Sequence, residues 1–319
     1  MPTGQTLFPP GATMAIGGGL IWLSPLFRTI QQSRFSVFEL LFLLVPLVVF
    51  PLTLNLIPVT GNSWLTRFVR GVVLYCFLPA AMLVVASFRP GGVRPIAGAA
   101  TFPWLLIAVA LAFDGLRRLV QTRCRSFPEF CFAFGEGYAM VGALWLTASR
   151  LGLRPAGFHE PIVLLTAIHF HYAGLMTAVL AGLAASSIRT PLSIRLALSC
   201  AVIGPGLLGL AFLAGPKLKL AAVGLMVIGE CAIAFATFRI GLAEAGGTGG
   251  RMLLVGSACM IVGIALAGIW AVGEYPLHAF VNLGQMARYH GVLNSLGFGL
   301  CSLVGWNLLQ RRRMPEEPR

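Results

Sequence analysis

Charge is scarce in this sequence: only 10% of its 319 residues are Asp, Glu, Lys or Arg, while 57% are hydrophobic. An ordinary soluble domain carries roughly a quarter charged residues, so a soluble fold is excluded at the outset. Acidic residues are the scarcest of all, with 10 Asp and Glu against 23 Lys and Arg. The resulting charge of +13 does not point to nucleic acid, because the basic residues are spread a few per loop and form no continuous face. The seven cysteines include no CxxC pair and lie mostly within apolar runs. They read as small packing residues, with no disulfide framework implied. A nucleotide-binding glycine loop, an HExxH motif and a nucleophile elbow are all missing, so hydrolysis is not expected.

What the sequence does have is long apolar runs, about nine of them exceeding the roughly 18 residues that mark a membrane-helix candidate. They fall near residues 37–58, 71–88, 95–115, 128–149, 161–185, 193–215, 218–239, 252–272 and 289–310. The fold class is therefore all-α: a polytopic transmembrane helix bundle over residues 37–310, followed by a basic cytoplasmic tail at 311–319. Residues 1–36 form a separate N-terminal segment. Within it, Met14 to Phe27 is apolar but short, interrupted by Gly17, Gly18, Gly19 and Pro25, and reads as a short or interfacial helix. The basic residues that a signal peptide places before its apolar core do not precede it.

Arg117, Arg118, Arg123 and Arg125, with Arg311, Arg312 and Arg313, put the larger share of positive charge on the side of the bundle that holds the C-terminus. By the positive-inside rule that side is cytoplasmic, so Glu160, Glu274 and His278 face outward. Proline and glycine mark where helices bend. Pro46 and Pro51 interrupt the first span, and Gly204-Pro205-Gly206 the sixth, where a missing N–H frees a carbonyl. Such breaks serve as binding sites in some transporters and are ordinary in other membrane helices.

The candidate site begins with His169 and His171, ionisable residues in the middle of an apolar span, which need a partner or a wet cavity. Two residues apart on a helix, they lie about 200° apart around the axis at roughly 100° per residue, so a regular helix cannot present both to one ion. His171 shares its face with Ala167, Gly174, Ala178 and Gly182, small residues that let a neighbouring helix approach. Burial between helices follows. His169 shares its face with Thr166, Tyr172 and Thr177, a pattern that suits a polar cavity. In the last span His290 and Asn294 are four residues apart and share a face. Glu136 and Glu230 are isolated carboxyls at mid-span that must either pair or carry protons. Asp114, beside Arg117 and Arg118, reads as a solvated ion pair. With roughly 1.5 Å of rise per residue, His169, His171, Glu136 and Glu230 all fall near one depth, which places a carboxyl within direct or single-water reach of an imidazole if their helices are neighbours.

The motif His169-Phe170-His171-Tyr172-Ala173-Gly174, with His290-Gly291-Val292-Leu293-Asn294-Ser295-Leu296-Gly297-Phe298 far downstream, resembles the paired signatures of the YndJ-like family of bacterial membrane proteins. The proline-punctuated stretch Glu39 to Leu54 is similar to that family's first hydrophobic segment. The resemblance covers most of the chain from about residue 36 and implies a multi-pass membrane protein of the bacterial inner membrane. It implies no substrate or mechanism. Taken with the interrupted helices and buried ionisable groups, it favours a transporter or permease for a small molecule or ion. The substrate- or proton-binding residues are then His169, His171, Tyr172, Glu136, Glu230, His290 and Asn294, with the lipid bilayer as partner and no cofactor required. One alternative is a redox protein holding haem or a metal through His169, His171 and His290. The other is an assembly or signalling protein without a transported substrate.

Overall fold

A computed structural model describes residues 10–32, 35–59, 64–89, 94–274 and 282–313. Among the described residues the chain is helical, without strands, and nine of its helices are long and apolar enough to cross a membrane. An N-terminal helix, α1 (Gly11–Gln32), precedes them. The nine are α2 (Val37–Leu54), α3 (Trp64–Ser87), α4 (Arg94–Thr122), α5 (Phe127–Leu151) and α6 (Ile162–Ser187), then α7 (Leu192–Ala214), α8 (Pro216–Ala243), α9 (Thr248–Gly273) and α10 (Leu283–Arg312). His278 falls in residues 275–281, which lie outside the described residues.

The helix α1 is longer than the predicted 14–27 segment, running through its three glycines, of which Gly18 packs against α2. Gly18 sits so close to the Leu47 backbone of α2 that a side chain there would collide with the Leu47 carbonyl. The Trp22 indole then donates to the Leu40 carbonyl at 2.9 Å.

Two helices form the centre of the bundle. In α2 83% of the membrane-crossing window is buried inside the protein, and in α6 72%, whereas α3, α7 and α9 bury 33% each and form the rim. Close approach comes from small residues, since lipid offers no hydrophobic drive for helices to associate. A side-chain carbon at Gly174 of α6 would come within 2.7 Å of Tyr138 on α5, and one at Gly182 within 2.8 Å of Phe132. The small-residue face of α6 thus receives the aromatic side chains of α5.

Prolines bend these helices without leaving orphan groups. Pro46 has no N–H to offer and Val45 donates back to Phe42, so the Leu41 carbonyl accepts instead from the Tyr172 hydroxyl at 3.0 Å. Pro205 leaves α7 continuous. There the Tyr138 hydroxyl stands inside the helix ladder, donating to the Val202 carbonyl at 2.9 Å and accepting the Gly206 N–H at 3.2 Å. The break expected at Gly204-Pro205-Gly206 is therefore filled by a side chain from α5.

Four stretches widen into π-helical turns: Val45–Val49 in α2, Phe170–Met176 in α6, and Ala287–Gly291 and Leu293–Leu300 in α10. These three helices pack on one another. Turns of this kind are rare and recur at functional sites.

Candidate functional site

A cavity of about 240 Å³ lies between α2, α6, α7, α8, α9 and α10. It occupies the half of the bundle where α6, α8 and α10 begin and α9 ends, opposite the end that carries Arg311 and Arg312. Its walls are mainly apolar, including Met176, Met226, Met260, Met286 and Trp270, and five polar residues singled out from sequence converge on it: His169 and Tyr172 from α6, Glu230 from α8, and His290 and Asn294 from α10. An apolar pocket with a few convergent polar groups is the usual form of a small-molecule site.

Three of these polar groups have local ties: Tyr172, His290 and Asn294. The Tyr172 hydroxyl donates to Leu41, and the Thr177 hydroxyl donates to the Tyr172 carbonyl at 3.1 Å, the five-residue spacing of a π turn. His290 Nδ1 lies 2.8 Å from the Gly263 carbonyl of α9, and Asn294 Nδ2 lies 3.1 Å from His290 Nε2. This network assigns the proton to Nδ1, leaving Nε2 to accept from the amide. Gly263 has no side chain because the Asn294 amide fills the space where one would be.

Among the described residues, His169 Nε2 and Asn294 Oδ1 are buried without a hydrogen-bond partner. Glu230 is only 6% exposed and, among the described residues, has no ion pair or hydrogen bond. Unsatisfied buried polar groups cost roughly 1–3 kcal/mol each, more when charged. Two such atoms beside the buried Glu230 carboxyl, around one cavity, are the arrangement of a site that a ligand or water completes.

The structure separates two residues from this group. His171 is fully buried where α6 meets α2, α4 and α5, away from the cavity. Its ring is enclosed by Phe42, Phe50 and Trp104, with centroids 5.6, 6.3 and 6.1 Å away. Trp104 Nε1 donates to His171 Nε2 at 3.4 Å, and Nδ1 bonds the Ala167 carbonyl at 2.8 Å. Both ring nitrogens are engaged. Consequently His171 does not join His169 and His290 around one metal, and among the described residues no three His, Cys, Asp or Glu side chains converge as a metal site would need.

Glu136 belongs to a third place, a buried ion cluster in the opposite half of the bundle. Arg118 Nε lies 3.0 Å from both Asp114 Oδ2 and Glu136 Oε2, and its Nη1 lies 2.8 Å from Glu129. Its Nη2 donates to the Pro58 carbonyl at 2.6 Å. Arg117 holds the other Asp114 oxygen at 2.7 Å. Gly115 brings the helices together, since a side chain there would come within 2.7 Å of the Ala133 carbonyl. The expected solvated pair at Asp114 is corrected by its burial: both Asp114 and Arg118 are enclosed. Neither Arg118 nor Tyr138 stands out in the sequence. Arg118 reads as one more loop arginine, and an i, i+4 carboxylate at Asp114 was the one available signal of its pairing.

A sequence model of the YndJ-like protein family matches residues 40–298. The chain belongs to the YndJ-like family. One relative is the uncharacterized membrane protein YndJ of Bacillus subtilis (strain 168), 26% identical over 287 residues, which cover 88% of this chain and 50% of that protein. The chain thus spans about half the length of the curated relative it matches. No solved structure matches it. Family membership and the apolar helices together make this a multi-pass membrane protein. Within the matched region lie every cavity-lining polar residue, the His171 pocket and the Arg118 cluster.

Proposed function

We propose that this YndJ-like chain is a permease of the bacterial inner membrane, with its C-terminus in the cytoplasm, and that the 240 Å³ cavity is its solute site. The observation that carries the reading is the pair of unpartnered atoms, His169 Nε2 and Asn294 Oδ1, beside the buried Glu230 carboxyl, held on three helices around one apolar cavity. A purely structural bundle gains stability by replacing such groups with apolar ones. The orientation follows from the arginines near the C-terminus and at the α4–α5 connection. In alternating access, neighbouring helices rock about a fixed central site, and the π turns of α2, α6 and α10 lie where those helices meet.

The test is accessibility from both sides. In a chain whose seven native cysteines are replaced, Asn294→Cys is labelled by a membrane-impermeant thiol reagent from outside in oriented vesicles, and from inside in inverted ones. Labelling from one side alone contradicts a permease and favours the assembly or signalling alternative.

A further inference from the structure

The chemistry of the cavity wall selects among solutes. Among the described residues, no lysine or arginine lines the main cavity, whereas Glu230 does, buried and without a cationic partner. The Tyr172 hydroxyl donates its proton to the Leu41 carbonyl and has the Ser295 hydroxyl within hydrogen-bond reach, so it offers a ligand no donor. The remaining wall is polarizable, with Met226 one turn from Glu230 on α8 and Met260 and Trp270 on α9. Thioethers and aromatic faces both favour cations over anions.

The protein shows the same preference at the edge of this cavity. A smaller cavity of about 50 Å³ shares Leu208, Val223 and Trp270 with the main one. In its wall the Lys219 ammonium lies over the Phe212 ring at 4.6 Å and the Trp270 ring at 6.0 Å. An alkylammonium thus already rests on an aromatic face that both cavities share.

Taking the main cavity as a solute site, we propose that it receives a small primary amine, bound as an ammonium on the Glu230 carboxylate with its apolar body against Met226, Met260 and Trp270. The ammonium brings a positive charge to the Glu230 carboxyl and a donor to the unpartnered Asn294 Oδ1. A neutral amine takes its proton from a protonated Glu230, an ammonium pairs directly with an ionised one, and an ammonium that meets a protonated Glu230 releases one proton to solvent. Size sets a limit. At roughly 30 Å³ per water, the cavity holds the equivalent of about eight waters, so the amine has about eight non-hydrogen atoms.

Benzylamine meets that limit, and benzyl alcohol and benzoate match its shape with neutral and negative charge. Titration calorimetry of the detergent-purified full chain should show saturable benzylamine binding, about tenfold or more tighter than benzyl alcohol, as a charge-assisted hydrogen bond implies. Glu230→Gln should remove that advantage, so that benzylamine and benzyl alcohol bind about equally. The comparison of three probes on the unaltered chain stands even if the variant fails to fold. Benzyl alcohol or benzoate binding as tightly as the amine overturns the cation preference and leaves the solute cavity standing. Saturable binding of none of the three overturns both.

Discussion

The Tyr138 hydroxyl on α5 accepts the backbone N–H of Gly206 on α7 at 3.2 Å and passes its own proton to Val202, replacing one rung of a helix that Pro205 bends. A kink that would otherwise need water is closed by a side chain from the neighbouring helix. Tyr138→Phe removes only the oxygen, so it orphans two backbone groups with little change of shape. Thermal unfolding in detergent should show a loss of about 1–3 kcal/mol. An unchanged midpoint would mean that the two groups rejoin directly.

The Arg118 cluster leads to a second expectation. Removing its guanidinium leaves Asp114, Glu129 and Glu136 facing one another in a buried place, and breaking a buried ion network from one side costs about 3–5 kcal/mol. Arg118→Met should therefore fail to accumulate or unfold early. Adding Glu136→Gln removes part of the uncompensated charge and should recover part of the loss. Additive damage in the double variant, measured by the same melting assay, contradicts the pairing.

His171 should behave as a packing residue. His171→Leu leaves Trp104 Nε1 without its acceptor, at a cost of about 1–3 kcal/mol. Combined with Trp104→Phe the cost should be smaller than the sum of the two single variants, because both remove one shared bond. Strict additivity would show that the two rings act independently.

The orientation is tested by fusion after residue 313. Alkaline phosphatase attached there should be inactive and a fluorescent protein should glow. An active phosphatase reverses the bundle and turns the cavity mouth toward the cytoplasm.

The class of the fold is legible in the sequence because twenty apolar residues in a row have few other uses. So is the packing face of α6, where Gly174, Ala178 and Gly182 recur at helical spacing and receive Tyr138 and Phe132. Depth was legible only in part: Glu230 and His169 both line one cavity. The direction in which a helix faces was not. Glu136, placed at the same depth by counting residues, lies in the opposite half of the bundle and turns toward Arg118 on α4, and nothing in the periodicity of α5 says which neighbour lies on that side. The bond from Tyr172 to Leu41 spans 131 positions of sequence, and its reason lies in Pro46, on another helix. Long-range satisfaction of a freed carbonyl leaves no local pattern.

The central claim is that Glu230 is held for a ligand at the expense of stability. Its most direct test is the melting temperature of Glu230→Leu in detergent, where the substitution keeps side-chain volume and removes a buried carboxyl that has no protein partner. The account predicts a chain more stable than the original by about 1–2 kcal/mol that no longer binds benzylamine. A chain that melts lower, as when one member of a structural network is removed, would contradict it and make Glu230 part of the scaffold.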